Sequence, residues 1–162
     1  MRVASTSKAV SGAVALSLVS KGALSLNDTI GELLAKQPKK WREITLRQLL
    51  NHSSGLPDYA QNPRFGIGKA PPPEKLLSHI RAKKLRFNPG SRYKYSNSDN
   101  IVVALMVKSA TNRTYNGRLQ EQVYGPLSLK KTIFPRGANL NKPYVHGYDN
   151  APNDHPLRTL AS

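Results

Sequence analysis

The stretch from Ala9 to Val19 is the most apolar in the chain, interrupted only by Ser11, Gly12 and Ser17. Its pattern predicts a helix over residues 6–21 that is apolar nearly all round. Such a helix has no face suited to water and belongs at the centre of a packed domain. Gly22 stands where a left-handed C-terminal cap is expected. The run falls short of the roughly 18 residues a membrane span requires. Arg2 and Lys8 lie ahead of it as they would in a signal peptide. The segment nevertheless continues through Gly22 and Leu24-Ser25-Leu26 into patterned sequence without a small-residue cleavage site, so it reads as part of the fold.

The remaining elements are helical too. Asp28 is a candidate cap for a short turn over Ile30 to Leu34, and Pro38 to Arg42 reads as a basic, exposed connection. Thr45 is a good N-cap for a helix from Leu46 to Asn51, with Leu46, Leu49 and Leu50 as its buried stripe. Ser53-Ser54-Gly55 breaks that helix and Pro57 prevents its resumption. Residues 60–73 read as a loop whose last proline opens a helix from Glu74 to Lys84, with Leu76, Leu77 and Ile80 inward. Asn88-Pro89-Gly90 is a turn, and Arg92 to Tyr95 is short and extended. Two more helices follow, over Ile101 to Ser109 and over Thr114 to Val123, the second ended by Gly125-Pro126. Beyond Leu129 no regular element is predicted, and no sheet of normal size is visible anywhere.

A length of 162 residues suits one domain. With no cysteine, disulfides, thiolate metal sites and cysteine nucleophiles are excluded. His52, His79, His146 and His155 lack ligand spacing, so neither a metal nor another cofactor is expected. The formal charge of +16 favours contact with anions. Lysine and arginine are spread along the chain, with short clusters at Lys39-Lys40, Arg81 to Arg86 and Lys130-Lys131. No zinc finger, basic zipper or aromatic RNA-binding motif accompanies them, and nucleic acid is not the expected partner. A non-catalytic basic module touching anionic polymers stands as the alternative to the enzymatic reading below.

Ser-x-x-Lys occurs at Ser5/Lys8, Ser91/Lys94 and Ser128/Lys131. Only the first opens a long apolar helix. There the hydroxyl sits at the positive end of the helix dipole, with the amine one turn later on the same face. An amine held in such a desolvated site can take the proton of a neighbouring hydroxyl. The other two lie beside turns and are expected on the surface. Downstream, Tyr95-Ser96-Asn97 abuts Ser98-Asp99-Asn100. Either triplet could complete a serine site. The preceding Pro89-Gly90 turn and extended stretch favour Tyr95 and Asn97. Ser98 then stays as the lesser alternative, with Ser98-Asp99-Asn100 as the polar first turn of a helix.

Taken in order, Ser5-x-x-Lys8, the segment from Leu46-Arg47-Gln48-Leu49-Leu50-Asn51-His52 to Ser53-Ser54-Gly55-Leu56, and Tyr95-Ser96-Asn97 after Asn88-Pro89-Gly90 resemble the serine penicillin-recognising hydrolases. These are the class C β-lactamases, the related DD-peptidases and the esterases of the same fold. Pro126-Leu127, Thr132 and His146-Gly147-Tyr148 resemble later landmarks. The resemblance implies a single domain over residues 1–162 that is the predominantly α-helical portion of an α/β (α+β) β-lactamase/transpeptidase-like fold, with most sheet strands missing. It implies Ser5 as nucleophile, Lys8 as the group sharing its proton, and Tyr95 as the group passing a proton to the leaving group. Asn97 would bind the substrate amide, and the Ser5 backbone N–H would form half of an oxyanion hole. The substrate would be a small molecule or cell-wall peptide carrying a peptide, lactam or ester bond, met outside the cytoplasm. His52 is expected to be structural, because Lys8 and Tyr95 already supply the acid–base groups.

The resemblance also implies a third motif, Lys-Thr-Gly or His-x-Gly, on a strand that provides the second oxyanion donor. Lys108-Ser109-Ala110 lacks the glycine and falls within a predicted helix, and His146-Gly147 lacks the intervening residue. Removing one oxyanion donor costs about 10²–10³ in rate. Weak or absent catalysis by this chain alone is therefore expected, along with an uncovered apolar surface on the first helix.

Overall fold

The computed structural model of the chain describes residues 3–61 and 71–134. Among the described residues, a 3-10 turn over Ala4–Thr6 is followed by six α-helices: α1 Ser7–Ser20, α2 Ile30–Leu33, α3 Leu46–Leu50, α4 Pro73–Arg81, α5 Asn97–Thr111 and α6 Tyr115–Leu119. A π turn over Gln120–Tyr124 extends the last of them. Among the described residues there is no strand, only an isolated antiparallel bridge between Thr29 and Thr45.

That bridge joins two helix starts. Thr29 caps α2 and Thr45 caps α3, each accepting the backbone N–H three residues on while Glu32 or Gln48 returns the bond to the cap. Thr45 is the cap its sequence predicts. At α2 the predicted cap shifts by one residue: Thr29 does the work, and the Asp28 carboxylate turns back to accept Ser25 N at 2.7 Å. The connection over Pro38 to Arg42 also departs from expectation. A 3-10 turn over Lys39–Trp41 leaves the lysines outside and drives Trp41 into the core with no exposed surface.

α5 is the hub, touching α1, α2, α3, α4 and α6. It buries Val102, Val103, Met106 and Val107 among Val14, Ile30, Trp41, Ile44, Leu49, Leu77 and Ile80. The prediction of α1 as the central helix is thus corrected. α1 buries a single face, Ser11, Val14, Ala15 and Leu18, at the i, i+3, i+4, i+7 spacing. Its opposite face shows Ala9, Ala13 and Leu16, the last 50% exposed. An all-apolar composition permits burial on every side but does not dictate how many sides are covered. Gly22, at φ +69°, closes α1 as predicted: Ala23 N reaches Leu18 O at 2.9 Å and Gly22 N reaches Val19 O at 3.0 Å.

α4 ends three residues before the predicted Lys84 but starts on Pro73 with Leu76, Leu77 and Ile80 buried. Within the predicted Thr114 to Val123 span, α6 covers Tyr115–Leu119 with Thr114 as its N-cap, and Tyr115 Oη donates to Ser11 Oγ, tying α6 to α1. His146-Gly147-Tyr148 and His155 lie outside the described residues.

Candidate active site

The site forms where the N-terminus of α1 meets that of α5. Ser5 lies in the 3-10 turn that leads into α1, directly after Ala4, whose φ of +43° is strained for a residue with a Cβ. One turn later, Lys8 points its amino group along the same face. Lys8 Nζ donates to Ser5 Oγ at 3.2 Å and to Asn97 Oδ1 at 2.9 Å, and lies 4.9 Å from the centre of the Tyr95 ring. Tyr95 Oη is 2.9 Å from Ser5 Oγ and donates to Asn97 Oδ1 at 3.2 Å. All four residues singled out from the sequence therefore meet in one hydrogen-bonded cluster. Ser91, Lys94, Ser128 and Lys131, of the other two Ser-x-x-Lys matches, are exposed.

Two loops aim Tyr95 and Asn97 at Ser5. After α3 the chain turns at His52 (φ +58°) and Gly55 (φ +74°). A Cβ on Gly55 would lie 2.4 Å from Phe87 O, so only glycine lets these two backbones meet. That contact brings in the second loop. Arg86 N donates to Gly55 O, Gly90 N to Ser53 O at 2.8 Å, and Lys94 N to His52 O at 2.9 Å. The stretch before α5 is in this way stitched, backbone to backbone, onto the loop after α3.

The first turn of α5 hooks into the same loop. Ser98 and Asp99 have no exposed surface. Ser98 Oγ donates to Pro57 O at 2.6 Å and accepts Tyr59 N at 3.0 Å. Asp99 Oδ2 is 2.8 Å from His52 Nδ1, and Asp99 Oδ1 accepts Ser54 Oγ at 2.5 Å. Ser98-Asp99-Asn100 forms the first turn of α5, as expected, and its burial adds what the sequence did not show. Ser98 and Asp99 are buried clamps, and the Ser98 hydroxyl is bonded to Pro57 and Tyr59 rather than to Ser5 or Lys8. Burial pushes the Asp99 carboxyl above its ordinary range, while the hydrogen bonds from His52 and Ser54 pull it back.

His52 makes its hydrogen bond to Asp99, and its ring lies against Tyr95 with centres 4.7 Å apart. Sequence reasoning missed Asp58. This buried carboxylate accepts Asn97 Nδ2 with both oxygens, at 3.0 and 3.3 Å. Its only signal was an acidic residue directly after the Gly55-Leu56-Pro57 turn, and nothing local pointed it at a residue 39 positions on. Beside the cluster an open groove runs between α1, α3 and α5, lined by Lys8, Gly12, Leu16, Leu50, His52 and Val103. It shares Lys8 and His52 with the cluster. No group of three acidic or histidine side chains suited to a metal occurs among the described residues, and no described helix is long and apolar enough to cross a membrane.

A hydroxyl within reach of both an amine and a phenol, beside a carboxamide, is equipped for nucleophilic acyl transfer. Known proteins resemble the chain in sequence and in fold. The family described as Beta-lactamase matches residues 1–161. Protein flp of Staphylococcus aureus (strain MW2) is 26% identical over 151 residues, covering 91% of this chain and 30% of the relative. A putative D-alanyl-D-alanine carboxypeptidase of Escherichia coli (strain K12) is 29% identical over 127 residues, covering 72% of this chain and 29% of the relative. A D-stereospecific amidohydrolase from Streptomyces sp. superposes with a TM-score of 0.88 at 28% identity, over 99% of this chain and 53% of that one. The chain thus spans under a third of the curated relatives' length and about half of the solved structure. Neither the family match nor the cluster supports the alternative of a non-catalytic basic module. The helical architecture is that of part of a β-lactamase/transpeptidase-like fold, and the chain belongs to the Beta-lactamase family.

Proposed function

We propose that this chain carries the acyl-transfer centre of a serine hydrolase acting on amide or peptide bonds beside a D-configured residue. The observation that carries the reading is the convergence of Tyr95 Oη and Lys8 Nζ on Ser5 Oγ, at 2.9 and 3.2 Å. Ser5 Oγ attacks the substrate carbonyl carbon as its proton passes into the Lys8–Tyr95 pair, which acts as the base once one of the two has released its own proton to solvent. The carbon–nitrogen bond then breaks as Tyr95 returns that proton to the leaving amine. Water adds to the acyl carbon, its proton follows the same route back to Ser5, and the acid is released. Asn97 holds the substrate amide, and the Ser5 backbone N–H faces the developing oxyanion. The D-configured substrate is supported by the names of two relatives, a D-alanyl-D-alanine carboxypeptidase and a D-stereospecific amidohydrolase. A cell-wall peptide is the natural compound of that class, and a site outside the cytoplasm follows from it.

The test is covalent labelling with a fluorophosphonate or a fluorescent penicillin, followed by hydrolysis of paired D- and L-amino acid amides. Labelling should require Ser5 and vanish in Ser5→Ala, with slow turnover favouring the D-amide. Equal labelling of Ser5→Ala would overturn the reading. Ser5-dependent labelling with an L-amide preferred would overturn its substrate half.

A further inference from the structure

We propose that Asp58 is a positioning residue that sets the direction of the hydrogen bonds linking Ser5, Tyr95 and Asn97 by fixing the orientation of the Asn97 carboxamide. The inference rests on the acyl-transfer reading for its consequence in rate, but not for its geometry.

An asparagine side chain offers an acceptor on one end and donors on the other, and which end faces which neighbour follows from the surrounding groups. Carboxylate oxygens only accept, so Asp58 draws Asn97 Nδ2 towards itself, at 3.0 and 3.3 Å. Asn97 Oδ1 is thereby turned to the opposite side, where Lys8 Nζ and Tyr95 Oη both donate to it, at 2.9 and 3.2 Å. With its own proton committed to Asn97, the Tyr95 oxygen is left to accept from Ser5 Oγ at 2.9 Å. The chain of donors then runs from Ser5 to Tyr95 to Asn97 to Asp58, with Lys8 donating to Ser5 Oγ from the side. A carboxamide rotated end for end would confront Lys8 and Tyr95 with a second set of donors and leave Ser5 without a directed acceptor.

Asp58 is held so that it cannot follow Asn97. Its Oδ1 also accepts Ala60 N at 3.0 Å. The residues on either side, Pro57 and Tyr59, are both bonded through their backbones to Ser98, the neighbour of Asn97. Asp58 is 7% exposed, so water offers little substitute for its oxygens. The carboxylate and the carboxamide it orients are mounted on one rigid corner.

The experiment compares wild type, Asp58→Asn and Asp58→Leu in the 162-residue chain, with melting temperatures to establish that each folds. Two quantities are read: the rate of Ser5 labelling by a fluorophosphonate, and the side-chain amide signals of Asn97 by NMR, assigned by their loss in Asn97→Ala. Asp58→Leu has no acceptor, so the Asn97 amide protons should move towards free-asparagine positions and exchange faster with water. Labelling should fall by about 10- to 100-fold, as expected for a misdirected reacting group. Asp58→Asn keeps the shape and one acceptor, and should fall between. A side chain that merely filled space would leave both variants labelling at the wild-type rate, and that result overturns the proposal. Unchanged Asn97 amide signals in Asp58→Leu overturn it as well, whatever the labelling rate. Should wild type show no Ser5-dependent labelling, the acyl-transfer reading falls, and the Asn97 signals still decide the role of Asp58.

Discussion

His52 and Asp99 form a part-buried link between the loop after α3 and the first turn of α5. Their Nδ1 and Oδ2 atoms lie 2.8 Å apart, and Asp99 has no exposed side-chain surface. The same His52 presents its backbone carbonyl to Lys94 N and its ring to Tyr95. One residue therefore connects the buried carboxylate, the extended stretch leading into α5 and the phenol that contacts Ser5. Strength of this kind is conditional, because a buried carboxylate stabilises only while its hydrogen bonds outweigh its desolvation.

That condition predicts a pH dependence. Burial raises the Asp99 carboxyl above its unfolded value of 3.8. The folded protein binds this proton more tightly than the unfolded chain, so the associated stability is complete below that value. It is lost as pH rises through the higher folded value. Asp99→Asn does not titrate there. Denaturant midpoints of wild type and Asp99→Asn should converge, or shift in favour of the variant, as pH rises through this window. A gap between them independent of pH would show that Asp99 titrates normally.

Gly55→Ala should be among the most damaging single substitutions. The new Cβ meets the Phe87 carbonyl oxygen at 2.4 Å while the backbone sits at φ +74°. Neither partner is a side chain that can swing aside. A loss of at least about 2 kcal/mol is expected in chemical denaturation, together with slower Ser5 labelling, since the Phe87–Tyr95 stretch is stitched to this turn.

Ser98→Ala removes one hydroxyl that serves both Pro57 O and Tyr59 N inside the protein. Leaving those groups without their partner should cost about 1–3 kcal/mol in denaturation. Ser91→Ala, which destroys a second Ser-x-x-Lys match on the exposed surface, should stay within about 0.5 kcal/mol of wild type. Its Ser5 labelling should be unaffected.

Tyr95→Phe separates packing from chemistry. The ring that lies against His52 and beneath Lys8 is kept, while the hydroxyl that touches Ser5 and Asn97 is lost. Melting temperature should hardly change, and acylation of Ser5 should slow by about 10²–10⁴-fold. A Phe variant that labels as fast as wild type would remove the phenol from the mechanism.

Much of the local structure was legible because its causes lie within a few residues. Thr45 and Gln48 bond to each other's backbone across one turn, and Gly22 closes α1 by its own conformation. The buried leucines of α3 and α4 follow from helical spacing. The misreadings share a cause of the opposite kind. Trp41 is buried because the core of α5 accepts its ring, although Lys39 and Lys40 made its surroundings look exposed. Ser98 and Asp99 stand in the first turn of α5 as expected, and only their partners, 39 to 47 residues away, went unread.

The amino-acid sequence by itself determined the helices, their caps and the identity of the chemical groups, since propensity, periodicity and short-range motifs act through near neighbours. It also marked out Ser5, Lys8, Tyr95 and Asn97. Only the tertiary structure decided that Tyr95 meets Ser5 across 90 residues, that α5 rather than α1 is the hub, and that Asp58 stands behind Asn97. Those outcomes depend on how α1 packs on α5 and how the Gly55 turn docks on Phe87. Contacts between distant segments are set by shape and buried hydrogen bonding, which no stretch of a few residues contains.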